Sequence, residues 1–201
     1  MKRKKSAKTP QWQDHYTRQA QKEHYPARSV YKLAEIQKKH RVIARGDRVL
    51  DLGAAPGSWT KYAAEQTGSE GSVLGIDLNP VTIRMPANVT VTTADIHALQ
   101  GSADQVFGSD FQVVLSDMAP ATTGDKSGDA ARSYELCRAA LAVADAVLQR
   151  GGRFVCKIFQ GEDFKSFCDQ VKARFDRMHI FKPQSSRKAS REIFIIGLGK
   201  K

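Results

Sequence analysis

The sequence predicts an α/β fold, a seven-stranded and mostly parallel sheet with helices on both faces. Three observations predict it. Short apolar runs alternate with helix-like stretches along most of the chain, the first run ends in a turn of small residues, and the second ends in an aspartate about 20 residues beyond that turn. Strands separated by helices are joined by crossovers and lie parallel, and such sheets bind ligands outside the carboxyl ends of their strands. At 201 residues the chain suits one buried core better than two.

Residues 1 to about 11 mix Lys, Arg, Ser, Thr and Pro without an apolar period and read as a flexible basic arm. Residues 1–28 are expected to form a basic extension, and residues 29–201 a single domain. From Ser29 to His40, Val30, Leu33, Ala34 and Ile36 suit one helix face, with Pro26 and Ser29 as start signals. Buried strands are expected at Arg48 to Leu52, Ser72 to Asp77, Val89 to Thr93, Phe111 to Ser116 and Arg153 to Ile158. The clearest helix runs from Ala130 to Gln149, where Leu136, Ala140, Val143 and Val147 repeat at helical spacing until Gly151 and Gly152 stop it. Two further strands, near His179 to Lys182 and Glu192 to Leu198, complete the sheet.

The net charge of +11 is unevenly placed. Residues 1–41 hold 12 Lys and Arg against 3 Asp and Glu, residues 172–201 hold 9 against 2, and the stretch between holds 11 against 16. Basic ends around an acidic centre suggest that the ends meet a polyanion, which makes residues 1–28 a candidate RNA-contacting extension. Solvated tails are the alternative. Three cysteines, Cys137, Cys156 and Cys168, form no C-x-x-C pair and argue against a disulfide framework or a zinc site. Five histidines lie scattered without ligand spacing, so no catalytic metal is expected. The basic start leads into no apolar stretch and no run of about 18 apolar residues occurs, which reads as a cytoplasmic protein without a membrane span.

The first strand ends in Asp51-Leu52-Gly53-Ala54-Ala55-Pro56-Gly57-Ser58-Trp59. Small residues at a strand-to-helix turn let a ligand approach the backbone, and Asp77 stands where an acidic residue accepts from ribose hydroxyls. The turn lacks G-x-G-x-x-G, and Pro56 removes a donor that a pyrophosphate would need. S-adenosylmethionine carries ribose, adenine and a sulfonium but no phosphate, and fits such a turn better than NAD. Asp95, after the third strand, is placed either to reach the adenine amino group or to cap a helix.

Asp117 follows the fourth strand directly, and Lys157 lies near the end of the fifth, in Phe154-Val155-Cys156-Lys157-Ile158. A lysine in so apolar a strand loses hydration and needs a reason; snorkelling is one and catalysis another. Together, DLGAAPGSW (Asp51 to Trp59), SDMAP (Ser116 to Pro120), KIFQG (Lys157 to Gly161) and SRE (Ser190 to Glu192) resemble the FtsJ/RrmJ family of ribose 2′-O-methyltransferases. The resemblance covers the chain from about Ser29 to Lys201 in the family's order. It implies a Rossmann-like S-adenosylmethionine-dependent fold and a Lys-Asp-Lys-Glu tetrad at Lys32, Asp117, Lys157 and Glu192, with Lys157 as proton acceptor. It further implies cofactor contacts at Gly57, Trp59, Asp77, Asp95 and Asp117. The acceptor it implies is a uridine ribose in the A-loop of 23S rRNA, on the large ribosomal subunit, with no obligate protein partner.

Such a tetrad suits the chemistry, because a ribose hydroxyl is a poor nucleophile and transfer from sulfonium to oxygen needs proton removal and in-line positioning. Free lysine is protonated at neutral pH, and mixed cations and carboxylates titrate as a unit. Amino-group methyltransferases resemble one another in an Asp/Asn-Pro-Pro-aromatic turn, which is Asp117-Met118-Ala119-Pro120 here. Carbon-5 enzymes need a cysteine nucleophile, whereas Cys156 must face away from its neighbour Lys157 and the other two cysteines read as core. Two alternatives remain: a 2′-O-methyltransferase for tRNA or an mRNA cap, and a non-catalytic ribosome-assembly factor that retains the pocket.

Overall fold

The computed structural model describes residues 11–99, 101–187 and 189–201, so the expected basic arm Met1 to Pro10 lies outside the described residues. Six helices among them are α1 (Gln11–Lys22), α2 (Val30–His40), α3 (Ser58–Thr67), α4 (Ala103–Phe107), α5 (Lys126–Val147) and α6 (Phe164–Arg174). The strands are β1 (Arg48–Leu52), β2 (Ser72–Asp77), β3 (Val89–Thr93), β4 (Phe111–Ser116), β5 (Leu148–Phe159), β6 (Phe175–Phe181) and β7 (Glu192–Lys200), with a 3-10 turn at Ile96–Leu99. They form one seven-stranded sheet in the order β3-β2-β1-β4-β5-β7-β6. Neighbours from β3 through β5 are parallel, while β7 runs antiparallel to both β5 and β6.

Successive strand residues point to opposite faces, and this alternation divides the core in two. Val49, Val113, Leu115, Val155, Phe194 and Ile196 pack with Leu33 and Ile36 of α2 and Trp59, Ala63 and Ala64 of α3. On the other face Leu50, Leu52, Val114, Phe154 and Cys156 pack with α5 and with Phe167, Cys168 and Val171 of α6. Lys157 shares its face with Val155 and is thereby turned toward α2, away from Cys156. Burial on both faces explains why the central strands read as continuous apolar runs. All three cysteines are buried and free.

Several boundaries differ from the sequence expectation. The long helix begins at Lys126, where the Asp125 carboxylate accepts from Ser127 N and Gly128 N at 3.1 Å each, and it ends at Val147. Gly151 and Gly152 therefore do not stop the helix; they lie within β5, which starts at Leu148 and makes an irregular register with β4 there. Strand β6 begins at Phe175, not near His179, because antiparallel pairing with β7 extends past the apolar stretch. Ser29 precedes α2 as expected but makes no side-chain cap; its carbonyl accepts from Trp59 Nε1 at 2.9 Å.

Nothing in the apolar pattern announces α1. Its Ala20 is buried, the Tyr16 and Tyr31 rings lie 5.3 Å apart, and the Arg28 guanidinium stands 5.5 Å over Tyr16. Tertiary contact of this kind holds helices whose own sequence is weak. Among the described residues no helix is long and apolar enough to cross a membrane.

Candidate active site

The strand order reverses between β1 and β4, and the crevice such a reversal leaves at the carboxyl ends of the strands is where open α/β sheets bind ligands. A cleft of about 340 Å³ opens there, walled by Gly53, Ala55, Asp77, Leu78, Asp95 and Ile96, with Asp117 and Met118 on the β4 side. Gly53 has φ +85°, and a Cβ there would stand 2.6 Å from Met118 Cγ, so only glycine lets β1 turn into the cleft against the loop after β4.

The turn's amides are engaged within the protein. Gly53 N and Ala54 N donate to Ile76 O at 2.8 and 3.0 Å, Gly57 N donates to Ala54 O, and Ala55 N donates to Asp77 Oδ2 at 3.0 Å. The turn is therefore a wall and not a phosphate cradle, and three carboxylates, Asp77, Asp95 and Asp117, share the cleft. Such a lining suits a ligand that carries ribose hydroxyls and positive charge without phosphate, as S-adenosylmethionine does. Asp77 Oδ1 accepts from Asn79 N at 2.8 Å and Asn79 Nδ2 at 3.3 Å, which fixes the carboxylate while Oδ2, bonded to Ala55 N, keeps a second lone pair for a hydroxyl. Asp95 both lines the cleft and accepts from His97 N at 2.9 Å, so it caps the 3-10 turn with the oxygen Oδ1.

The other two residues expected at the cofactor, Gly57 and Trp59, are not on the cleft wall. Trp59 is buried, stacked on Phe194 at 5.7 Å and bonded to Ser29 O, so its side chain builds the α3 face of the core. Gly57 has φ +110°, and a Cβ there would strike Met85 and Ile83. Any ligand contact at these two positions goes through the main chain at the start of α3.

Beside the cleft the structure brings Lys32, Asp117, Lys157 and Glu192 together as two ion pairs. Lys157 is 6% exposed. Its Nζ lies 3.0 Å from Asp117 Oδ1 and donates to the Asp117 main-chain carbonyl. Lys32 Nζ donates to Glu192 Oε2 at 2.7 Å, and Ser186 Oγ donates to Glu192 Oε1, also at 2.7 Å. Burial alone would raise the Glu192 carboxyl, but the Lys32 ammonium, the Ser186 hydroxyl and the more distant charge of Lys157 together hold it below its ordinary value. Two ammonium groups thus converge at the end of β5, each restrained by a carboxylate.

Sequence reasoning missed Asp51 and Ser186. Asp51 is fully buried beneath α3; Thr60 Oγ1 donates to its Oδ2 at 2.6 Å, and Oδ1 has no partner among the described residues. Burial lifts its carboxyl to about 7 against the Thr60 bond, with Asp117 and Asp77 adding to the rise. The alternation of β1 already turned Asp51 inward and was the available signal. For Ser186, on the β6–β7 loop, the chain offers none. Among the described residues no group of three or more His, Cys, Asp or Glu side chains is placed to hold a metal ion.

The chain has relatives among known proteins. The chain matches the family described as FtsJ-like methyltransferase over residues 25–200. It is 58% identical to ribosomal RNA large subunit methyltransferase E of Desulforapulum autotrophicum, with 96% of each chain covered. It is 54% identical to the protein of the same name from Desulfosudis oleivorans, covering 98% of this chain and 94% of that one. Among solved structures, a Plasmodium falciparum protein described as a ribosomal RNA methyltransferase shares the fold at TM-score 0.76 and 24% identity, over 88% of this chain and 98% of that one.

Proposed function

The chain belongs to the FtsJ-like methyltransferase family, and from that premise we propose that it transfers a methyl group from S-adenosylmethionine to a ribose 2′-hydroxyl of large-subunit ribosomal RNA. The acceptor is a uridine of the 23S rRNA A-loop on the large subunit, and the protein works in the cytoplasm without an obligate protein partner. The name borne by the most similar relatives supports the choice of RNA. The observation that carries the chemistry is the pair of buried lysine–carboxylate contacts at the mouth of an acid-lined cleft.

In this reading Asp77 would hold the ribose of the cofactor, Asp95 would reach its adenine amino group, and Asp117 would contact the cofactor from the β4 side of the same cleft. The cofactor supplies an electrophilic methyl on a sulfonium. Lys157 Nζ, in its amine form, takes the proton from the 2′-hydroxyl as the oxygen attacks. Asp117 keeps that nitrogen on the cleft side through its carboxylate and carbonyl. Lys32, fixed by Glu192, presents a cation toward the acceptor sugar or its phosphate. Residues 1–28 form the RNA-contacting extension, and residues 29–201 the catalytic domain.

Single-turnover transfer of labelled methyl to purified large ribosomal subunits, at saturating cofactor, tests the assignment. Lys157→Ala is expected to lose about 10² to 10⁴ in rate with fold and binding retained. Lys157→Arg is expected to be almost as slow, because arginine keeps the charge but does not give up its proton. Lys32→Arg, which retains charge and donors, should keep more activity. A Lys157→Arg enzyme at near wild-type rate would overturn the general-base role.

A further inference from the structure

Glu192 differs from Asp117 in how it is held. Asp117 meets Lys157 alone, whereas Glu192 is gripped at both oxygens, by Lys32 on Oε2 and by Ser186 on Oε1. Ser186 is 4% exposed and sits on the loop between β6 and β7, six residues before the carboxylate it contacts. That loop is itself tied to α2. The Glu35 carboxylate accepts from Gln184 N at 2.6 Å and from Ser185 N at 2.8 Å. Lys32 and Glu35 stand three residues apart and therefore share one helix face. One face of α2 thus places both groups that hold Glu192, Lys32 directly and Ser186 through the loop.

We propose that Ser186 is a positioning residue of the catalytic centre, whose hydroxyl fixes the Glu192 carboxylate so that Lys32 is presented at a set place beside Lys157. The inference rests on the reading of Lys32, Asp117, Lys157 and Glu192 as the methyl-transfer centre. The charged groups around Glu192 explain why a hydroxyl is needed there. Lys32 reaches it from α2, Lys157 acts on it from β5, and Arg28, ahead of α2, also feels its charge. A carboxylate with one oxygen unclaimed among three cations can rotate toward Lys157 and compete with Asp117 for its ammonium. The Ser186 hydroxyl occupies that oxygen without adding charge, and it favours the ionised carboxylate because it can donate to it.

Removing the hydroxyl has a defined consequence. Glu192 loses a donor to its ionised form, so its carboxyl titrates at higher pH in Ser186→Ala. The freed carboxylate turns toward Lys157 and disfavours the amine form that accepts the proton, so the acidic limb of the rate profile moves to higher pH as well. The experiment compares wild type, Ser186→Ala and Ser186→Thr by two readouts. One is the pH profile of single-turnover transfer to large ribosomal subunits at saturating cofactor. The other is the titration of the Glu192 carboxyl, followed by carbon-13 NMR in protein labelled at glutamate, with thermal unfolding as the check on folding.

Ser186→Ala is expected to be slower by roughly 10- to 100-fold, the value of a hydrogen bond to a charged group. Its acidic limb and its Glu192 midpoint should both move upward, and Ser186→Thr, which keeps the hydroxyl, should restore both. An unmoved Glu192 midpoint overturns the inference. So does a Ser186→Ala enzyme with the wild-type rate and profile, or a rate loss that tracks unfolding with no change of pH dependence. Wild-type protein that methylates no subunit, while Ser186→Ala still raises the Glu192 midpoint, would sink the functional reading and leave the positioning contact standing.

Discussion

The tetrad residues are individually ordinary, and their environment makes them unusual. Asp51 shows the same effect most clearly, since an aspartate on a central strand is forced into the core by strand alternation and has only Thr60 to meet it. Its carboxyl stands at about 7, well above the ordinary value for an aspartate, so the folded protein holds a proton that the unfolded chain releases near pH 4. The sign follows from proton counting. Between about pH 4 and 7 the folded state binds more protons than the unfolded state, so this group's contribution makes stability fall as pH rises through that window and level off above it. Asp51→Asn should remove that decline and stabilise the protein at pH 8 by a few kcal/mol, about 4 at most. Urea unfolding of both proteins at pH 5 and pH 8 checks this, and an equal difference between the two at both pH values would refute it. Position, type and face of Asp51 were readable in the motif, but the proton it carries depends on desolvation by α3, which no local pattern states.

At the scale of elements, the turn from β1 into α3 carries the heaviest constraint. Its glycines were legible as a close-approach motif, for which the sequence offered ligand binding or tight packing. The structure divides the work: Gly53 admits Met118 beside the cleft, whereas Gly57 admits Met85 and Ile83. Gly53→Ala places a side chain on a left-handed φ and against Met118, and should destabilise the fold by about 1 to 3 kcal/mol. It should also weaken S-adenosylmethionine binding by displacing Met118 into the cleft. Denaturant unfolding and calorimetry measure the two effects separately; unaltered cofactor affinity in a folded variant would show that Met118 does not border the bound ligand. The boundaries the sequence missed have physical causes. Strand β6 extends through residues that look like polar surface because β7 pairs with its backbone, and such pairing is blind to side-chain type, whereas residues 149–152 of β5 fall where the register with β4 shifts.

Over the described residues as a whole, the segment leading into α2 meets the basic carboxyl-terminal stretch at the β6–β7 loop. Arg28 Nη2 donates to Ser185 O at 2.7 Å, and Lys32 meets Glu192, which joins segments about 160 residues apart beside Lys157. Cations such as Lys32 beside the acid-lined cleft would guide RNA toward it while leaving the carboxylates to the cofactor. Deleting residues 1–10 removes five Lys and Arg, and should lower affinity for an RNA containing the A-loop and flatten its dependence on salt, without touching cofactor binding. Binding isotherms from about 50 to 200 mM salt give the slope, which should become shallower by up to about 3.5 if every lost cation meets a phosphate of single-stranded RNA. An unchanged slope would mean that the arm meets no phosphate.

By itself the sequence determined the alternation of strands and helices, the small-residue turn, Asp77 at its distance from that turn, and a lysine in a strand so apolar that its place there needs a reason. These are local properties, written in periodicity and spacing, and they survive without knowledge of the fold. Only the tertiary structure decided that Trp59 serves the core and not the cleft wall, that Glu192 is gripped at both oxygens, and that burial raises the Asp51 carboxyl. Each of those depends on which distant groups come within about 3 Å and on how much water they exclude, and both are set by packing between elements far apart in the chain.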